Sequence, residues 1–158
     1  MMKNGRNGFS LVELMIVIAI IGIVAGISAL AWQRYVLNAN LRLAARDIVT
    51  DFQSCKVNAN SQSRAYQITF DQGANTYTIS SPATTLPAVN TVKSPTVEGR
   101  VIQITNANFG MAGSIITFTS RGTSSAGTVT LTNTRPTPST AIITTNTTGK
   151  AYVTFNMQ

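Results

Sequence analysis

The chain has 158 residues, 12 basic and 5 acidic side chains, no histidine, one cysteine and a formal net charge of +7. The absence of histidine removes the usual general base at neutral pH and the commonest metal ligand, and a lone cysteine excludes an intramolecular disulfide. The length suits one domain plus an appendage, and the basic excess is scattered rather than gathered into the stripe that marks a nucleic-acid surface.

A short leader carrying Lys3 and Arg6 ends at Gly8. Phe9 follows, then a lone carboxylate at Glu13, then a run from Leu14 to Trp32 without a charged residue. About 20 apolar residues cross the hydrocarbon core of a bilayer, so this run is long enough to span one. The basic leader beside it puts the N-terminus in the cytoplasm and everything after Trp32 outside it. An ordinary secretory signal has an apolar stretch of about 7–15 residues ending in a small-residue cleavage site. A generic signal anchor has no need of Gly8-Phe9 or of Glu13. A glutamate at the mouth of a membrane helix is costly and calls for a reason. Gly22 and Gly26 form a GxxxG pair, which permits close helix approach in a bilayer; general glycine tolerance in membrane helices accounts for it equally well.

Beyond Trp32 the apolar positions continue as Leu37, Leu41, Ala44, Ile48, Phe52, Cys55 and Ala59. Gaps of three and four are the stripe of an amphipathic helix. The spacing predicts one helix from about Ser10 to about Asn60, its first half in the membrane and its second half, residues 33–60, lying on a globular head. Cys55 falls on the stripe and reads as a small buried apolar residue. Asp47 and Asp51 stand at helical i,i+4 spacing beside Arg42, Arg46 and Lys56, which reads as a solvated, charge-laced face.

From Arg64 the texture alternates Thr, Ile, Val, Tyr and Phe. Strands are predicted at Ala65–Phe70, Thr76–Ser80, Val97–Thr105, Ser114–Ser120, Gly127–Thr132, Ala141–Thr145 and Ala151–Phe155, each bounded by Gly, Asn, Pro or Ser. Asp71–Asn75 reads as a longer hairpin connection. Ser81–Ser94, with Pro82 and Pro87, reads as an exposed strand-poor loop, and Arg135–Pro138 as a second loop. Short antiparallel strands with polar outer faces suggest a sandwich. The expected fold class is α+β, a long N-terminal helix packed on an antiparallel β-sandwich head over residues 61–158. No Ser/His/Asp set, metal-ligand spacing or phosphate-binding glycine loop is present, so neither an enzyme nor a cofactor is expected.

The order basic leader, Gly8, Phe9, Glu13 and uncharged run resembles the N-terminus of type IV prepilins and type II secretion pseudopilins. Residues 6–32 carry that resemblance. Leu41–Val49, Ile116–Gly122 and Thr148-Gly149-Lys150 more loosely resemble the minor pseudopilin H and FimT-type minor pilin group. The resemblance implies a leader of residues 1–8, removed by a prepilin peptidase between Gly8 and Phe9, and methylation of Phe9. It implies a filament-core helix over residues 9–32 and a role for Glu13 in assembly. It further implies other pilins or pseudopilins and an inner-membrane assembly platform as partners, and a head on the periplasmic side. The family commonly has a proline where this chain has Leu30, so a kink there is not expected from a proline. Some FimT-type minor pilins bind DNA through glycine-arginine-any-arginine near the C-terminus. The matching Gly149-Lys150-Ala151-Tyr152 keeps a single charge, and Arg121 and Arg135 are the other candidates. Nucleic acid is therefore a partner this sequence does not favour, and a major filament-forming pilin is the remaining alternative.

Overall fold

A computed structural model of the chain describes residues 9–82, 87–96, 102–134 and 137–158, with the backbone alone at 29–31. Helix α1 covers Leu11–Ser61. It runs unbroken past Leu30, whose side chain lies outside the described residues. The chain divides into two compact units, Met1–Val36 and Leu37–Gln158.

In the first unit, every side chain described from Phe9 to Ser28 is exposed. From Leu11 this stretch belongs to α1, which is long and apolar enough to cross a membrane. Trp32 and Tyr35, one helical turn apart, bring their rings to 6.1 Å.

In the second unit, α1 buries Leu41, Ala44, Ala45, Ile48, Phe52, Cys55 and Ala59. This is the predicted stripe, widened by Ala45; Leu37 at its start is half-buried. The β strands described are β1 (Tyr66–Asp71), β2 (Thr76–Ser81), β3 (Val89–Lys93), β4 (Ile102–Asn108), β5 (Ile115–Phe118), β6 (Gly127–Asn133), β7 (Thr140–Thr145) and β8 (Ala151–Asn156). They form two antiparallel four-stranded sheets, ordered β3-β2-β1-β5 and β4-β6-β7-β8. Alternation decides which side chains go inward. Tyr66, Ile68 and Phe70 of β1, Val129 and Leu131 of β6, and Ala141 and Ile143 of β7 are buried in one core with the helix stripe.

Aromatic rings join the layers. Phe52 of α1 meets Phe70 edge-on at 6.2 Å and Phe118 at 5.8 Å. Phe70 stacks on Phe109 at 6.0 Å. Gly127 opens β6 against this group, and a Cβ there would run into the Asn108 carbonyl and the Phe109 ring. The β1–β2 connection is the predicted longer hairpin, closed by Asp71 Oδ1 accepting from the Ala74 N–H at 2.9 Å. Its last residue reaches the other sheet: Asn75 Nδ2 donates to the Ile102 carbonyl at 2.8 Å, and Asn75 Oδ1 accepts from the Ile104 N–H at 2.9 Å.

Two expectations need correction. Ser81–Ser94 is not strand-poor, because β3 lies within it and pairs from Tyr77↔Lys93 to Ser81↔Val89. Four of its five residues are exposed, so no inward-outward alternation marks it in the sequence. The strand expected at Val97–Thr105 is described from Ile102 and runs on to Asn108, with its register slipping between Ile104 and Asn106. Residues 97–101 lie outside the described residues.

Candidate functional site

The described candidate residues fall just before and within the first part of α1 and in two turns of the head. Gly8 lies outside the described residues, as does Arg135. Phe9 is exposed. Ser10 caps α1, its Oγ accepting the Glu13 N–H at 3.2 Å. Ser-x-x-Glu ahead of an apolar run is a recognisable helix-start signature, and this signal for Ser10 was open to sequence reading. With the cap supplied by Ser10, the Glu13 carboxylate makes no hydrogen bond or ion pair among the described residues. Its charge still sits favourably in the first turn, where the helix dipole is positive. A Cβ built on Gly22 or Gly26 would meet nothing within 4 Å, so the pair is open to a neighbouring helix.

On the head, Arg121 is exposed in the turn between β5 and β6, and Lys150 is exposed just before β8. Folding brings these turns together. The Ser124 N–H donates to the Thr147 carbonyl at 3.0 Å, and Ser124 Oγ donates to the Asn146 carbonyl at 2.8 Å. Lys56 of α1 runs beneath both turns, and its Nζ donates to the Thr148 carbonyl at 2.8 Å. Gly149, at φ +71°, is required there: a Cβ would stand 3.0 Å from the Lys56 stem and 3.1 Å from the Gly122 carbonyl. Arg121, Lys150 and Lys56 thus come from adjoining segments, although the sequence reading placed Lys56 only on a solvated helix face. Beside them lies an open groove of about 710 Å³, lined by Gln53, Lys56, Val57, Thr148, Lys150 and Ala151 among others.

Asp51 departs from the sequence reading. Asp51 is 8% exposed rather than part of a solvated face. Its Oδ2 accepts from the Tyr77 hydroxyl at 2.7 Å and its Oδ1 from Lys93 Nζ at 2.6 Å. Lys93, although partly exposed, is therefore a cation pinned by the Asp51 carboxylate. Burial, and then the Asp51 carboxylate, push the Tyr77 hydroxyl well above its ordinary range. The same two causes push the nearby buried Cys55 thiol up to about 12. Arg64, another residue without an assigned role in the sequence, is buried; it donates to Gln62 Oε1 at 2.9 Å and to the Pro87 carbonyl at 2.7 Å.

Residues 3–29 match the family model described as a prokaryotic N-terminal methylation motif. Over 41 residues the chain is 54% identical to fimbrial protein EcpC of Eikenella corrodens, covering 26% of this chain and 27% of that protein. Over 38 residues it is 55% identical to a fimbrial protein of Moraxella nonliquefaciens, covering 24% and 25%. The match thus spans about a quarter of the length of these curated relatives. No solved structure matches the chain. The motif and both relatives support the type IV pilin superfamily.

Proposed function

We propose that the chain is a structural minor subunit of a type IV pilus or a type II secretion pseudopilus. A prepilin peptidase cuts it between Gly8 and Phe9, and Phe9 is methylated. Before assembly, α1 anchors it in the inner membrane, with the N-terminus cytoplasmic and the head periplasmic. The assembly platform then draws it into a filament of pilins. The observation that carries this reading is the methylation motif over residues 3–29 joined to a helix whose described apolar side chains are exposed from Leu11 to Ile27. Such a surface needs lipid or other helices around it.

Glu13 supplies the assembly chemistry. Cleavage creates a positive amine on Phe9, and the Glu13 carboxylate, without a hydrogen bond or ion pair among the described residues, is available to a neighbour's amine. Each charge is costly alone in a low-dielectric setting and far less so when paired. Pairing therefore favours one depth and one register for the incoming helix, and Gly22 and Gly26 allow close approach. The test has two parts. Intact mass of the mature protein should begin at Phe9 with one added methyl. Glu13→Ala should still be inserted and cleaved but be absent from filaments. A mature start elsewhere ends the prepilin reading, and normal incorporation of Glu13→Ala ends the pairing mechanism.

A second reading, a FimT-type subunit that binds DNA for uptake, draws on the meeting of the Arg121 and Lys150 turns over Lys56. DNA affinity rises with the number of phosphates neutralised, and this junction offers more cations than the tail alone. The reading requires binding that survives about 0.15 M salt, where the Debye length is about 8 Å. That binding should be lost on Lys150→Ala but kept on Arg42→Ala, which removes the same charge elsewhere. Loss of all binding at that salt in the unaltered protein would dismiss it.

A further inference from the structure

The two sheets have four edges, and they are treated differently. The outer edge of β4 is closed by Asn75, which bonds the Ile102 carbonyl and the Ile104 N–H. β5 is four residues long, and its outer edge is covered by the following loop, with the Ser125 N–H donating to the Thr117 carbonyl at 3.2 Å. β3 ends in Lys93 and lies between Pro87 and Pro95. Lysine, proline, covering loops and short length are the usual means of stopping edge-to-edge pairing. Within its own span β8 has none of them, and only Lys150 stands next to it. Its six residues, Ala151–Asn156, carry no charge and no proline, and no hydrogen bond among the described residues closes its outer edge. The inward side chains Ala151, Val153 and Phe155 remain half-buried rather than buried, and Tyr152, Thr154 and Asn156 are exposed. At its Lys150 end, β8 adjoins the groove over Val57, with Lys56 and Lys150 lining it.

We propose that the β8 edge and this groove receive an extended segment of a partner protein, one that alternates apolar and uncharged polar residues and ends in acidic side chains. Strand addition supplies the backbone bonds, and alternate side chains continue the apolar inner face and the neutral outer face. An antiparallel segment lays its C-terminal end beside Lys150, so its acidic residues belong there. A second copy of this chain fits less well. Face-matched pairing of β8 with β8 is antiparallel about a two-fold axis. The helix part Leu37–Ser61 runs beside β8, with Asn38 bonded to Gln158 and Lys56 to Thr148, so that pairing sets the two α1 helices in opposite directions. Subunits sharing one membrane or filament point α1 the same way; this step rests on the pilin-type reading above.

The test uses the full chain in detergent micelles and a synthetic peptide of alternating threonine and valine with two C-terminal glutamates. The readout is amide hydrogen exchange. Saturating peptide should slow exchange in 151–156 at least several-fold while leaving β3 unchanged. Thr154→Lys, an exposed change that protects the edge, should abolish the effect without moving the urea midpoint. Lys150→Glu should weaken binding on the order of tenfold and favour a lysine-ended counterpart. Absence of protection, or equal protection by both peptides, overturns the proposal. So does a dimer that protects β8 without peptide, which assigns the edge to a second copy, or displacement of the peptide by an oligonucleotide at about 0.15 M salt. The mature N-terminal mass decides the pilin reading separately, so the two failures are distinguishable.

Discussion

Asp51 shows how much one buried carboxylate organises. It draws the Tyr77 hydroxyl of β2 and the Lys93 ammonium of β3 onto α1, which fixes an otherwise exposed edge strand to the helix. Lys93→Ala leaves the carboxylate half-satisfied and should cost about 1–3 kcal/mol, toward the lower end because the lysine side chain is 43% exposed and partly screened. Arg42→Ala removes the same charge from an exposed position and should cost less than about 0.5 kcal/mol. Equal urea midpoints for the two variants would show that the pair does not hold β3. Cys55 and Tyr77 add a pH dependence. Burial keeps both protonated in the folded protein, Cys55 up to about 12 from an ordinary 9.0. The unfolded chain releases these protons first as pH rises. Their contribution is therefore full below about pH 9 for Cys55 and about pH 10 for Tyr77, and each declines above that point by about 1.4 kcal/mol per pH unit. For Cys55 the decline ends as pH passes about 12. Cys55→Ala should flatten the fall in stability between pH 9 and 11, measured by urea denaturation at each pH. An unchanged slope would place the alkaline lability elsewhere.

Among the elements, α1 changes its surroundings along its length while keeping one backbone form. Its second part owes its position to the stripe, and Phe52 is the largest side chain there, packed on Phe70 and Phe118. Phe52→Ala should cost about 3–5 kcal/mol, whereas Val57→Ala, five residues on and exposed, should change stability by less than about 0.5 kcal/mol. Similar costs in denaturant titrations would mean that the stripe does not hold the helix to the sheets. Burial on one face writes a 3.6-residue period into helices and a two-residue period into strands, so α1 and most strands could be read in advance. β3 could not, because it buries almost nothing and its prolines resemble loop punctuation. Asp51 was misread for a related reason: i,i+4 spacing locates a residue on a helix but says nothing of the strands that will face it. The N-terminal signal was legible because Gly8, Phe9 and Glu13 fall within six residues of the chain. The junction of Lys56 with the Gly122 and Gly149 turns joins segments far apart in the chain, and no local pattern records it.

Over the whole molecule, the two units solve opposite problems. All the buried apolar side chains described lie at Leu41 or beyond, and the long apolar run before Trp32 is exposed wherever it is described. The described side chains of the first unit thus contribute no buried core, and their apolar surface requires surroundings of lipid or other helices. The second closes its own core from one part of α1 and two sheets. A fragment beginning at Leu37 should therefore fold by itself, stay soluble without detergent and unfold in one cooperative step. Its far-UV spectrum should be dominated by strand, since the helix left to it ends at Ser61 against strands from β1 to β8. The full chain should need detergent, because the exposed run forms a contiguous apolar surface far larger than soluble monomers carry. Phe52→Ala should lower the urea midpoint of the fragment as much as that of the full chain, because every ring contact of Phe52 lies beyond Leu37. A fragment that is unfolded, mainly helical or indifferent to Phe52→Ala would mean that the head needs the N-terminal helix to fold. Assembly into a filament would then have to complete folding as well as position a finished head.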